Sequence, residues 1–134
     1  ANSTEMDPLA EDKVIDLMEE QKHITNMGGS MRLGAYECTL KKGSLAYKAY
    51  GKIKIEERHR HRYEFNNEYK GRLEDAGMKC TGINPESELV EIVEVPALRW
   101  FLGTQFHPEY NSTVLSPNPL FMSFMEAASH TKDK

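Results

Sequence analysis

Three short apolar runs, at residues 78–83, 89–95 and 100–106, follow one another with only a few residues between them, and Pro85 and Pro96 stand in the gaps. A parallel connection needs a crossover of about a dozen residues or more. Runs this closely spaced therefore predict strands that pair antiparallel as a meander. Upstream, residues 31–40 alternate, with Tyr36, Cys38 and Leu40 on one side, as a half-buried strand does. Residues 53–65 make a second extended stretch, closed by Asn66-Asn67. Short helices are expected at 45–50, between Ser44 as N-cap and Gly51, and at 68–76 before Gly77. Asn118-Pro119 opens a third helix, on which Leu120, Phe121, Phe124, Met125 and Ala128 form the stripe of a core-facing surface. The first 30 residues read as irregular: Asp7-Pro8 marks a turn, Val14, Ile15, Leu17 and Met18 make an apolar burst, and Gly28-Gly29 break the chain. His130 to Lys134 is a polar tail. The expected class is α/β, a sheet with flanking helices.

At 134 residues the chain suits one domain and is short for two. No apolar run approaches the roughly 20 residues that cross a bilayer, and no basic-then-apolar start suggests a signal peptide. Seventeen Lys and Arg against 21 Asp and Glu leave a formal charge of -4, a poor match to nucleic-acid phosphates. Two cysteines make no disulfide framework and, with seven methionines, fit a reducing, cytoplasmic setting. Ala1-Asn2-Ser3-Thr4-Glu5 is an abrupt opening without a start methionine, so the chain is expected to be part of a longer protein.

The apolar run ending at Phe106 delivers His107-Pro108-Glu109 to the C-terminal end of a strand, where α/β sheets place their sites. Proline holds the preceding residue extended. Extended geometry puts His107 and Glu109 on one side with Cα atoms roughly 6–7 Å apart. The Glu109 carboxylate can then accept from one imidazole nitrogen and leave the other as a general base, the base–orienter half of a nucleophilic triad. A turn-capping His-Pro beside an exposed glutamate is the plainer reading of the same residues. Neither thiol supplies a nucleophile by context: Cys38 and Cys80 lie inside strands without a strand-to-helix elbow and read as small buried hydrophobes.

Glu57-Arg58-His59-Arg60-His61-Arg62-Tyr63-Glu64 is the densest charge cluster. On an extended strand Arg58, Arg60 and Arg62 face one way and His59 and His61 the other. Three readings stay open: a solvated edge strand, an arginine clamp for carboxylate or phosphate, and half of a metal site that lacks an evident third ligand. Glu5 fits either a helix cap or a contact to a ligand amine. Gly28-Gly29-Ser30-Met31-Arg32-Leu33-Gly34 lacks the lysine of a phosphate loop.

Taken together, Asn2-Ser3-Thr4-Glu5, Gly28 to Gly34, Glu57 to Glu64 and Gln105-Phe106-His107-Pro108-Glu109 resemble the glutaminase domain of CTP synthase, from Ala1 to about Ser129. The His-Pro-Glu element is shared among class-I glutamine amidotransferases. The resemblance implies a partial three-layer α/β/α sandwich, its C-terminal part, with a mixed sheet, an antiparallel meander and flanking helices. The family makes CTP from UTP, ATP and glutamine, with GTP as activator and magnesium in the synthase domain. No cofactor is expected in this chain. By resemblance His107 is the triad base, Glu109 its orienter, and Glu5 and Arg62 bind the substrate glutamine. The family's nucleophile elbow and its amidoligase domain have no counterpart here, so the chain over 1–134 is expected to be inactive alone. It is also expected to expose edges and apolar surface, and so either to associate with itself or to fold in an altered way. Position 30 is Ser where the family usually has Thr, and no GTP-contacting residue is assigned because the segment before Gly28 is short. An inactive amino-acid- or anion-binding module is the alternative, with no nucleic acid and no membrane as partner.

Overall fold

The structure is a computed structural model that describes residues 1–17 and 32–130. Residues 28–31 of the glycine-rich motif, Met18 of the apolar burst, and the end of the polar tail lie outside the described residues. Eight strands are described: β1 (Asn2–Ser3), β2 (Lys13–Leu17), β3 (Arg32–Leu40), β4 (Lys54–His61), β5 (Tyr63–Phe65), β6 (Lys79–Ile83), β7 (Val90–Glu94) and β8 (Leu102–Thr104). Three helices join them: α1 (Leu45–Tyr50), α2 (Lys70–Asp75) and α3 (Pro119–Ser129). The main sheet has the order β4-β3-β6-β7-β8, and every pairing in it is antiparallel. The expected meander is its β6-β7-β8 half. Parallel pairing is confined to a second sheet, β1-β2-β5, where β1 runs parallel to β2.

Alternation decides which side chains enter the core. Along β4, Ile55, Glu57 and His59 are buried while Lys54, Glu56, Arg58 and Arg60 are exposed. The opposite strand β3 sets Cys38 against Ile55 in register. On β7 the successive residues Glu91 and Ile92 are both fully buried. Neighbouring strand side chains point to opposite faces, so β7 is covered on both. Cys38, Leu40, Ala46, Ile55, Ile92, Phe106 and Leu120 form one apolar cluster, and Phe65, Cys80 and Val90 a second. Full burial of an aliphatic side chain such as Ile92 or Leu120 contributes roughly 1.5–3 kcal/mol. Gly82 is required by close approach: a Cβ there would stand 2.7 Å from Ile92 Cγ1 and 2.8 Å from Cys38 Sγ.

Several expectations need correction. Residues 13–17 form β2 rather than irregular chain; the segment is too short for a visible period and is held by β1 and β5. The stretch 53–65 bends at Arg62 and changes sheets, so Arg62 leaves the row of Arg58 and Arg60. The strand expected over 100–106 pairs only at Leu102–Thr104. Residues 67–69 form a 3-10 turn ahead of α2. The α3 stripe is only partly a core surface: Leu120 is buried, whereas Phe121, Phe124 and Met125 are 41%, 49% and 62% exposed.

Candidate active site

His107 and Glu109 come together by a route other than the expected one. His107 caps a 3-10 turn, Pro108–Asn111, with Pro108 in its first turn. That turn, and not strand alternation, sets Glu109 against the imidazole: His107 Nδ1 and Glu109 Oε1 are 2.6 Å apart. A carboxylate at Nδ1 keeps the proton there and leaves Nε2 free to accept one. The Tyr110 ring stacks on the imidazole at 5.1 Å and 16°. The backbone is tied as well, since His107 N donates to Arg58 O at 2.9 Å. The slight burial of Glu109 acts to raise its carboxyl, but the hydrogen bond from His107, the bond from its own backbone N–H and the His107 charge together outweigh this and hold it below the usual carboxylate range. Both side chains remain reachable, at 38% and 53% exposure.

Glu5 and Arg62 line one cleft of about 560 Å³, together with Arg60, Tyr63, Thr104 and Gln105. Glu5 lies in the turn after β1, in which Thr4 Oγ1 donates to Asp16 Oδ1 at 2.8 Å. Arg62 sits at the bend between β4 and β5, half-buried, and its Nε is buried with no hydrogen-bond partner among the described residues. Gln105 is two residues ahead of His107. The cleft therefore offers a carboxylate and a guanidinium, a pairing that suits the ammonium and carboxylate of a free amino acid. Arg58 and Arg60 are exposed. His59 turns inward and His61 approaches Glu64, and among the described residues no group of three or more His, Cys, Asp or Glu is arranged to hold a metal ion.

Both thiols are buried. Burial, then the neighbouring Glu91, pushes the Cys38 thiol up to about 12. Such a thiol carries almost no thiolate near neutral pH, and the thiolate is the reactive form.

Glu57, read from sequence as part of a charge run, is a buried support of the turn. Its Oε1 accepts from Tyr50 Oη at 2.8 Å and from Asn118 Nδ2 at 2.9 Å, and its Oε2 accepts from Asn111 Nδ2 at 3.0 Å. Asn118 in turn caps α3 by accepting from Leu120 N at 2.9 Å. One carboxylate thus joins α1, β4, the His107 turn and α3. The signal available in the sequence was its place in the alternation, two residues from Ile55 on the same side.

A family model described as glutamine amidotransferase class-I matches residues 8–127. The chain is 72% identical over 128 residues to the CTP synthase of Bacteroides thetaiotaomicron, and 63% identical over 134 residues to that of Porphyromonas gingivalis. These alignments cover 96% and 100% of this chain but 24% and 25% of those proteins, so the chain spans about a quarter of the length of the curated relatives it matches. Among solved structures, it is similar to the glutaminase domain of Trypanosoma brucei CTPS with bound acivicin. The TM-score is 0.87 at 37% identity, over 99% of this chain and 52% of that one. The match over residues 8–127, with the identity to CTP synthases and the likeness to a solved glutaminase domain, leads to one conclusion: the chain belongs to the class-I glutamine amidotransferase family and is similar over nearly all its length to the glutaminase domain of a CTP synthase.

Proposed function

We propose that this chain is one partial glutamine amidotransferase domain, supplying the base, its orienter and the amino-acid contacts for glutamine hydrolysis in a CTP synthase. The observation that carries this reading is the 2.6 Å His107–Glu109 contact two residues beyond Gln105, which lines a cleft together with Glu5 and Arg62. The relatives are four times as long, and the nucleophile and the amidoligase domain are assigned to the remainder of such a protein.

Glu5 receives the substrate ammonium and Arg62 its carboxylate. His107 Nε2 takes the proton of a cysteine thiol lying outside this chain, and the thiolate attacks the side-chain amide carbon. The tetrahedral intermediate collapses as Nε2 returns that proton to the departing nitrogen, releasing ammonia and leaving a thioester. His107 then takes a proton from water, whose attack frees glutamate and the thiol. Glu109 keeps Nδ1–H in place and stabilises the imidazolium. The ammonia aminates UTP in an ATP-dependent step of the parent enzyme, with magnesium and GTP acting outside the residues described. A cytoplasmic location follows from the same reading, as does self-association of the isolated chain through the exposed α3 face.

The test uses the whole parent protein. His107→Ala should abolish glutamine-dependent CTP formation and leave ammonia-dependent formation intact. Retention of the glutamine-dependent rate would overturn the assignment.

A further inference from the structure

A buried group of ionisable side chains adjoins the cleft, and glutamine hydrolysis as described leaves it unused. Arg32 Nη1 donates to Glu91 Oε1 at 2.6 Å and to Glu64 Oε1 at 3.0 Å. His61 Nε2 lies 2.8 Å from the same Glu64 oxygen, and His59 Nδ1 lies 3.6 Å from Glu91 Oε2. The side chains of Glu91 and His59 are wholly buried, and those of Glu64 and Arg32 are 2% and 8% exposed. Tyr36 and Phe106 set ring edges against His59, while Cys38 lies within electrostatic reach of Glu91 and His107 within that of His59.

Two carboxylates and one guanidinium leave a net charge of -1 when both imidazoles are neutral. An uncompensated buried charge costs several kcal/mol, so one further proton is favoured. Among the described residues, Glu91 Oε2, Glu64 Oε2, both ring nitrogens of His59 and His61 Nδ1 are buried without partners. Of these, Glu91 Oε2 and His59 Nδ1 face each other, and a shift of a few tenths of an ångström would bring them into a hydrogen bond. Burial, partly offset by Arg32, pushes the Glu91 carboxyl up to about 7. Burial, reinforced by Arg32, His61 and His107, holds the His59 imidazole down to about 3. The proton therefore belongs on Glu91, donated to His59.

The cluster touches both walls of the cleft. His61 lines it, Arg62 and Tyr63 follow in sequence, and Glu64 closes the segment. From the other side Gln105 N donates to Glu91 O at 2.9 Å. We propose that Glu91 and Glu64 are positioning residues for the amino-acid cleft, Glu91 retaining one proton that it donates to His59 so that the cluster stays neutral and holds the two walls in register. This rests on the glutamine-cleft reading. Loss of the proton to solvent at higher pH leaves a negative charge in the cluster behind the cleft, where it opposes the substrate carboxylate.

Glutamine binding to the full chain, measured by calorimetry at pH 6 and pH 8, should weaken about fivefold in the wild type, a modest coupling. Glu91→Gln or Glu64→Gln makes the cluster neutral without a proton, so either should bind equally at both pH values. A wild type without the pH dependence, or variants that keep it, would overturn the proposal. If glutamine binds at neither pH, the cleft reading fails, and the amide resonances of residues 61–63 and 105 decide this proposal separately. A step near pH 7 that either substitution removes supports it, and no step, or an unchanged one, refutes it. Should the variants not fold, the carboxyl carbons of the wild type serve: one glutamate titrating near 7 supports the proposal, and all titrating below about 5 refutes it.

Discussion

Removal of the Glu57 carboxylate should loosen the turn that carries the reactive pair. Glu57 accepts three hydrogen bonds, from Tyr50, Asn118 and Asn111, and only Asn111 is exposed enough to turn to water. In Glu57→Gln the new amide can face Asn111, losing one bond to a charged acceptor, at about 2 kcal/mol. In Glu57→Ala the Tyr50 hydroxyl and the Asn118 amide both lose a buried acceptor at roughly 1–3 kcal/mol each, about 4 kcal/mol together. For a chain of this length about 4 °C accompanies each kcal/mol, giving falls in Tm of about 8 °C and about 16 °C. Urea denaturation followed by circular dichroism reads the same quantities independently. In the parent protein the variants should also lower kcat for glutamine more than they change KM, because the turn holds the proposed base, His107, and not the proposed amino-acid contacts Glu5 and Arg62. If both variants lie within about 0.5 kcal/mol of wild type, the clamp does not support this turn.

Glu109→Ala in the parent protein should lower glutamine turnover by about 10²-fold or more, read by coupled ammonia detection, with Glu109→Gln nearly as damaging. The depressed Glu109 carboxyl adds stability above its unfolded pKa that is lost as pH falls through the folded value, so the His107 ring resonances should report the pair opening in acid. Gly82→Ala should destabilise the chain by about 1–3 kcal/mol through overpacking against Ile92 and Cys38, measured by denaturation. Thiol reagents should modify Cys38 in urea and spare it in the native chain; rapid native labelling would refute its burial. His59, held at about 3, contributes stability that is full above pH 6.5 and lost toward pH 3. Glu91, raised from 4.5 to about 7, contributes stability that is full below pH 4.5 and lost toward pH 7. Their sum should rise up to pH 4.5, stay level to 6.5 and then fall; in Glu91→Gln it should instead climb to 6.5, which a pH series of urea midpoints tests.

Much of the architecture follows from short-range pattern. The period of two along β3 and β4, the close spacing of β6, β7 and β8, and the caps at Ser44 and Asn118 are local properties of the chain, and the corresponding elements are present. His107, Pro108 and Glu109 were legible as a unit because adjacent residues cannot separate far, even though a 3-10 turn and not a strand joins them. Other features depend on partners distant along the chain. The segment Lys13–Leu17 becomes a strand only because β1 and Tyr63–Phe65 pair with it. Alternation places Glu57 and His59 beside Ile55 on one face, yet it cannot tell whether that face meets water or protein. Once α1 and α3 cover that face through Ala46 and Leu120, the buried charges, with Glu91, must find partners or be neutralised, since burial in low dielectric penalises any that remain alone. Local periodicity can assign a side chain to a face; the long-range packing that covers that face turns a solvated charge run into a buried clamp.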